Sequence, residues 1–369
     1  SKINEKIDLL QYFNSSAIEC MDKYINNSTM GGLPLFAAMN FYSYARYIWN
    51  FPLGKNHRNY SFAIQLCLKF RTLDTDALPS KLVNKNDQQL AILLRNQGDI
   101  NGAVQLMEPV YQNLYDNACF DEACQALLEL GAMYRELTLF DKALALYENY
   151  DTGLLHNNSL IYRLYMNTGI IYKNKVQNDL FHQQITEDTY KHYNKSKELF
   201  DTVYDFAETS NDIPLQLEIL AELIENTVVG YYLNLTTISV AIKFAEEMDN
   251  ILPKYPVPVR KIQKFRMWAI IFTLQGKKLE AIEYLRQGFE IAVHYNIQFR
   301  AADCCNQISG ILCDSLNSSF ITAEILEEGI KACKYSIDYY TQLQDDEHMY
   351  LNDSRQKLET LQRVLNNMT

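Results

Sequence analysis

Glycine and proline are scarce. With 13 Gly and 8 Pro among 369 residues, few positions force regular structure to stop, which favours long helices joined by short turns. Long hydrophobic runs are also missing: the most strongly apolar stretch, residues 267–274, is far too short to span a bilayer, so no membrane is expected as a partner. The formal net charge of −11 withholds the broad basic surface that phosphate backbones require, and argues against nucleic acid.

Chemical motifs are equally sparse. There is no phosphate-cradling G-x-x-x-x-G-K-[ST], no dinucleotide G-x-G-x-x-G after a strand and no G-x-S-x-G elbow. The histidines His57, His156, His182, His192, His294 and His348 are scattered, and Cys20, Cys67, Cys119, Cys124, Cys304, Cys305, Cys313 and Cys333 contain no C-x-x-C pair. The thiols sit in apolar helical patterns and read as small buried hydrophobes. They place the chain in a reducing compartment, the cytoplasm. Adjacent carboxylates such as Asp121-Glu122, Glu246-Glu247 and Asp345-Asp346 diverge by about 100° on a helix and do not converge on a substrate. Neither enzymatic activity nor a metal or cofactor is expected.

What is present is a recurring unit. Leu90-Ala91 and Leu94 are followed by Gly98-Asp99, Ala103, Met107 and Val110; Leu130-Gly131 and Tyr134 by Ala143 and Tyr147; Trp268-Ala269 and Phe272 by Gly276, Ala281, Leu285 and Gly288. Residues four apart share one helix face, so each bulky pair forms a packing stripe. The small residue beside it and the Ala thirteen positions after the first let two helix backbones approach, and a Gly at the turn supplies left-handed backbone. The first residues of the units run Leu90, Leu130, Thr168, Val228, Trp268 and Ile308, mostly about 40 apart. The long step contains a polar insertion at 175–189, read as a loop or a helix extension inside one hairpin. In the last unit the second helix is displaced to begin near Thr322. Pro253, Pro256 and Pro258 crowd one connection, where a stiff turn is favoured over a hinge.

These units resemble the tetratricopeptide repeat family, in the long-helix variant with a repeat of about 40 residues. That length looks more like the arrays of kinesin light chain, Pins-type polarity adaptors and MalT-like regulators. The resemblance implies an all-α, right-handed α-solenoid of helical hairpins: N-terminal capping helices over 1–33, about seven hairpins over 34–343 and a C-terminal capping helix over 344–369. The first hairpin is a divergent one over 34–48 and 59–73. The capping helices hide apolar faces that end repeats would otherwise expose.

The resemblance also implies that partners dock on the concave face lined by the first helix of each pair. Counting from the markers, that face carries Lys85, Arg95 and Asn96, then Arg135, Arg163, Lys173 and Arg266, with Ile92, Ile170 and Ile270 as an apolar floor. For the unit marked by Val228 the same count gives Leu223, Asn226, Gly230, Leu233 and Asn234. A basic groove on an acidic body suits an extended or helical peptide bearing carboxylates. The chaperone-type carboxylate clamp of the family would need Lys and Asn where Gln88 and Ile92 stand, so that role is not expected. The sequence therefore predicts a non-enzymatic adaptor or scaffold that binds protein. The alternative is a ligand- or peptide-sensing domain of a larger, MalT-like regulator, which the opening at Ser1 rather than Met leaves room for. Oligomeric state is not legible.

Overall fold

The computed structural model describes residues 60–73, 78–97, 99–295, 297–341 and 349–368; the expected N-terminal cap, the first helix of the divergent hairpin and the Gly98 turn lie outside them. The described residues are helical throughout, with no strand: α1 (Tyr60–Arg71), α2 (Ser80–Gln97), α3 (Ile100–Asp116), α4 (Phe120–Glu136), α5 (Phe140–Glu148), α6 (Asn158–Phe181), α7 (Glu187–Thr209), α8 (Ile213–Tyr232), α9 (Ile238–Ile251), α10 (Pro258–Leu274), α11 (Lys278–His294), α12 (Gln298–Cys313), α13 (Ala323–Thr341) and α14 (Met349–Met368). They belong to two compact units, residues 1–133 and 134–369, which divide within α4.

In the first unit, α2 packs on α1 and on α3. Its core gathers Leu66, Cys67 and Phe70 of α1 with Leu90 and Leu93 of α2. Asp99 caps α3 by accepting a hydrogen bond from the Gly102 amide at 2.8 Å, which satisfies one of the orphan donors at that helix start.

The second unit is a two-layer solenoid. The even-numbered helices α6, α8, α10 and α12 each pack on the next even helix, ending at α14, and the odd-numbered helices α7, α9, α11 and α13 each fill the space between successive even ones. Small residues at the markers permit this spacing. A Cβ at Gly169 would stand 2.7 Å from the Phe200 ring of α7, so only glycine fits beside that aromatic. Ala269, Ala281 and Leu285 are fully buried in the α10–α12 core, as the sequence pattern requires. Trp268 instead turns its indole Nε1 to donate to Asp249 of α9 at 3.1 Å.

Six of the described turns share one geometry. At Ala118, Thr138, Gln183, Asn211 and Asn234 the backbone is left-handed, with φ of 53 to 59°, and at Gly276 φ is 77°. The amide after each of these residues donates back across the turn, as in Leu139 to the Tyr134 carbonyl at 2.9 Å, Gln184 to Asp179 at 2.8 Å and Lys277 to Phe272 at 2.8 Å. This is the Schellman closure of a helix C-terminus. It is made here five times without glycine, which is how a chain with so few glycines still turns sharply.

The polar insertion proves to be a helix extension. α6 has 24 residues and α7 has 23, joined by only 182–186. Thr186 and Thr189 form a capping box at the start of α7, and the Thr189 hydroxyl donates to Asp179 at 2.7 Å across the turn. The last hairpin begins its second helix at Ala323, with Thr322 Oγ1 accepting from the Ile325 amide at 3.3 Å. α14 buries Leu351 and Leu361 completely. Pro258 opens α10 at its first position, where a missing N–H costs nothing.

Candidate functional site: a charge ladder on the even helices

Between residues 215 and 230 α8 has no exposed residue, because neighbours cover it on every side but one. That remaining side is a half-exposed stripe of Glu218, Glu222 and Glu225, spaced at helical intervals. The same stripe continues as Arg163 and Asn167 on α6, Arg260, Arg266 and Ile270 on α10, and Arg300, Asp303 and Gln307 on α12.

The charges on this face are paired across helices. Arg163 Nη1 lies 3.1 Å from Glu218 Oε2, and Arg260 of α10 reaches the other oxygen of the same carboxylate. Glu218 is thus shared between arginines from both sides. Lys173 of α6 is 2% exposed and its Nζ lies 2.6 Å from Glu222, with Glu225 as a second close partner. Arg266 Nε lies 2.9 Å from Asp303, and Arg300 approaches the same carboxylate at 3.7 Å. Toward the end of the array, Lys357 of α14 donates to Asn306 Oδ1 of α12 at 3.0 Å and to Asp353 at 2.5 Å.

Proton affinities follow this pairing. Burial alone would lower the Lys173 ammonium pKa, but Glu222 and Glu225 outweigh it and hold the group above its ordinary value. Burial works to raise the Glu225 carboxyl, and Lys173, Arg266 and Arg300 together draw it below the usual carboxylate range. For Arg300, burial and then the neighbouring Arg266 act against the charge, so its pKa falls. Five cations (Arg163, Lys173, Arg260, Arg266 and Arg300) meet four carboxylates (Glu218, Glu222, Glu225 and Asp303). The face is close to neutral on a chain of formal charge −11.

Residues singled out from the sequence fall as follows. In the first unit, Lys85 is exposed on α2, Arg95 Nη1 lies 2.8 Å from Glu129 of α4, and the Asn96 side chain is outside the described residues. In the second unit, Arg135 is half-buried in the last turn of α4 and makes no ion pair among the described residues. Arg163, Lys173 and Arg266 come together on the ladder. Ile170, expected on an open floor, is 8% exposed because α8 packs over it through Leu215, Ile219 and Leu223.

The carboxylates of α8 are not found by counting from Val228; Leu223, Asn226, Gly230 and Leu233, which that count selects, are buried. The signal was nonetheless present. Leu220-Ala221 with Ile224 repeats the bulky-small-bulky unit, and two before and two and five after Leu220 stand Glu218, Glu222 and Glu225. The long arms of α6 and α7 displaced the count.

A second polar group joins α5 and α6. The Tyr172 hydroxyl donates to Glu148 at 2.5 Å, Lys175 pairs with Asp141 at 2.7 Å, and burial followed by the Glu148 contact pushes the Tyr172 pKa up to about 12. Among the described residues no three His, Cys, Asp or Glu side chains are grouped to hold a metal ion, and no helix is long and apolar enough to cross a membrane.

No sequence-family model matches the chain, and no curated protein matches it by sequence. Solved structures do match. A monomeric mutant of IFIT1 bound to m7Gppp-AAAA superposes with a TM-score of 0.52 at 15% identity, covering 95% of this chain and 67% of that one. IFIT1 with Gppp-AAAA gives 0.50 at 14% identity over the same shares. A Pyrococcus horikoshii STAND protein with a tetratricopeptide repeat sensor gives 0.44 at 14% identity, over 90% of this chain and 46% of that protein. Taken with the stacked hairpins, small-residue markers and C-terminal turn closures described above, the likeness to IFIT1 shows the fold alone: an all-α solenoid of helical hairpins similar to tetratricopeptide arrays.

Proposed function

We propose that this chain is a non-enzymatic binding scaffold that holds a segment of a partner protein on the even-helix face of residues 134–369. The charge ladder carries this reading. Apart from the buried Lys173, its side chains are partly exposed, fixed by neighbouring helices and spaced along α6, α8, α10 and α12, so a partner meets a preorganised row of guanidinium and carboxylate groups. Buried or half-buried ion pairs contribute little net stability, so an incoming carboxylate can take the place of Glu218 or Asp303 at modest cost. Recognition by such exchange sets specificity and register more than raw affinity.

Arg163 and Arg266 are the anchors, joined by Arg260 and Arg300, while the buried Lys173 holds Glu222 and Glu225 in place beneath them, and Arg135 stands ready in the last turn of α4. In the first unit, Lys85, Arg95 and Asn96 would serve in the same way on α2. The chain acts as a scaffold because titratable groups on the ladder pair with one another rather than converging on a vacant reacting position.

A second reading comes from IFIT1, which holds capped RNA on a similar fold. The excess of acidic residues weighs against it, because phosphate binding needs unpaired cations. Fluorescence-polarisation titration with labelled acidic, leucine-containing peptides and with m7Gppp-capped oligoadenylate separates the two. Saturable peptide binding that weakens by about tenfold or more in Arg163→Gln and Arg266→Gln is expected, since a charged hydrogen bond contributes roughly 1.5–3 kcal/mol. RNA binding with a steep salt dependence and no peptide binding would overturn the protein-binding reading.

A further inference from the structure

At Glu218 the ladder sets two guanidinium groups on one carboxylate. Arg163 of α6 and Arg260 of α10 reach it from the two flanking helices, each at a different oxygen. Arg260 is held a second time, donating from Nη1 to Gln263 Oε1 at 2.9 Å. Arg163 spends only Nη1 on Glu218, and no hydrogen bond among the described residues engages its Nε or Nη2. The side chains of Arg163, Glu218 and Arg260 are 34%, 22% and 17% exposed, so the group is assembled yet reachable from solvent.

Charge is not evenly spread along the ladder. Lys173 faces both Glu222 and Glu225, Arg266 and Arg300 share Asp303, and the same two arginines also act on Glu225. Those three cations and three carboxylates cancel. The one surplus positive charge of the ladder therefore sits at Glu218, between Arg163 and Arg260. A surplus cation in a partly buried, prebuilt two-arginine site suits an anion supplied from outside the chain.

We propose that Arg163 and Arg260 form a receptor for one phosphorylated side chain of the partner segment, with Glu218 occupying the place of the phosphate until it arrives. This rests on the scaffold reading above and names the chemistry at one of its contacts. A partner carboxylate that replaces Glu218 exchanges like for like and leaves the surplus charge in place. A phosphate monoester carries about two negative charges near neutral pH and three strong acceptor oxygens, so it cancels the surplus and engages N–H groups of both arginines. Glu218 lies on the side of α8 that its neighbours leave open, and its side chain can rotate into water as the phosphate enters. A polynucleotide fits this face less well, because it needs surplus cations repeated along its length. Its next phosphates would meet Glu222 and Glu225, about 6 and 10 Å along α8 from Glu218, where two carboxylates already outnumber Lys173.

Thermal-shift titration of the intact chain at constant ionic strength tests this, with N-acetyl-O-phosphoserine amide as the probe. Its sulfoserine and glutamate analogues carry a single negative charge, and the sulfate keeps the tetrahedral shape. Saturable stabilisation by the phosphoserine probe is expected at about millimolar concentration, the range for so small a ligand. Both analogues should bind roughly tenfold more weakly or worse, for want of a charge-assisted contact. This comparison needs only the wild-type chain. Arg163→Gln should abolish the effect, whereas Glu218→Gln, which removes the internal competitor, should tighten binding severalfold. Lys195→Gln, an exposed cation that pairs only with Glu198 on its own helix, should behave as wild type. Circular dichroism reports whether the variants remain helical. No phosphoserine binding, equal binding of the glutamate analogue, binding that survives Arg163→Gln, weaker binding in Glu218→Gln, or tighter binding of 5′-phosphorylated oligoadenylate would each overturn the proposal. Acidic peptides that still bind through Arg163 would then leave the scaffold reading standing without it. The expected phosphoserine pattern with no peptide binding would uphold the receptor and remove the scaffold reading instead.

Discussion

Thr138 occupies a conformation that its side chain resists. Its φ of 58° is left-handed, and a β-branched residue there is strained by roughly 1–2 kcal/mol because Cβ crowds the following carbonyl. The strain is tolerated because the turn it makes closes α4, with Leu139 N donating to the Tyr134 carbonyl and Thr138 N to Arg135 at 3.0 Å. Thr138→Gly removes the clash while adding about 0.5–1 kcal/mol of unfolded-state entropy. A net gain of up to about 1 kcal/mol is expected, read as a higher urea midpoint with unchanged slope. A lower midpoint would mean that the threonine is held there by contacts worth more than its strain. Gln183, Asn211 and Asn234 occupy equivalent positions, and the two asparagines carry the least strain of the set.

At the scale of the element, the sequence specifies each helix well but its rotation poorly. Small residues such as Gly169 and Ala269 mark where a helix approaches its partner, and they are visible in any reading of the chain. Which side of the helix then stays open depends on how far the next hairpin shifts along it, and for α8 that shift followed from the lengthened α6 and α7. Lys173 shows the energetic result. It lies at the contact between α6 and α8, 2% exposed, with its ammonium held by Glu222 and Glu225. Removing the ammonium leaves two carboxylates facing each other, so Lys173→Met should cost about 3 kcal/mol near neutral pH. The Glu225 pKa is lowered on folding, so its contribution is present above the carboxylate value of 4.5 and fades as pH falls through the lower folded value. The gap between variant and wild type should therefore narrow on acidification to about pH 3. Urea unfolding at both pH values measures it, and an unchanged gap would exclude the ion cluster as its source.

For the molecule as a whole, stacking has a consequence for cooperativity. Each hairpin of residues 134–369 touches mainly its neighbours, so stability is distributed along the array rather than pooled in one core. Leu361 of α14 is fully buried and meets Leu312 and the Gly329 backbone of the last hairpin. Leu361→Ala should cost about 2–5 kcal/mol, felt locally. Amide hydrogen exchange is expected to lose protection in α12, α13 and α14 while α6 and α8 keep theirs; uniform loss along the unit would show that it unfolds as a single cooperative body.

Helix content, hairpin grammar and the absence of nucleotide or metal motifs were set by the sequence alone, because helical periodicity and short-range spacing are local properties. So was the start of α13 next to Thr322, whereas the polar interruption at 175–189 left open whether a loop or a helix extension stands there. Only the tertiary structure decided that Arg163, Lys173 and Arg266 face carboxylates from the next repeat. It likewise decided that Ile170 lies beneath α8 and that Phe181 and Tyr232 are left exposed. Those outcomes depend on the axial shift and rotation of one hairpin against the next, which are fixed by packing between residues about 50 positions apart.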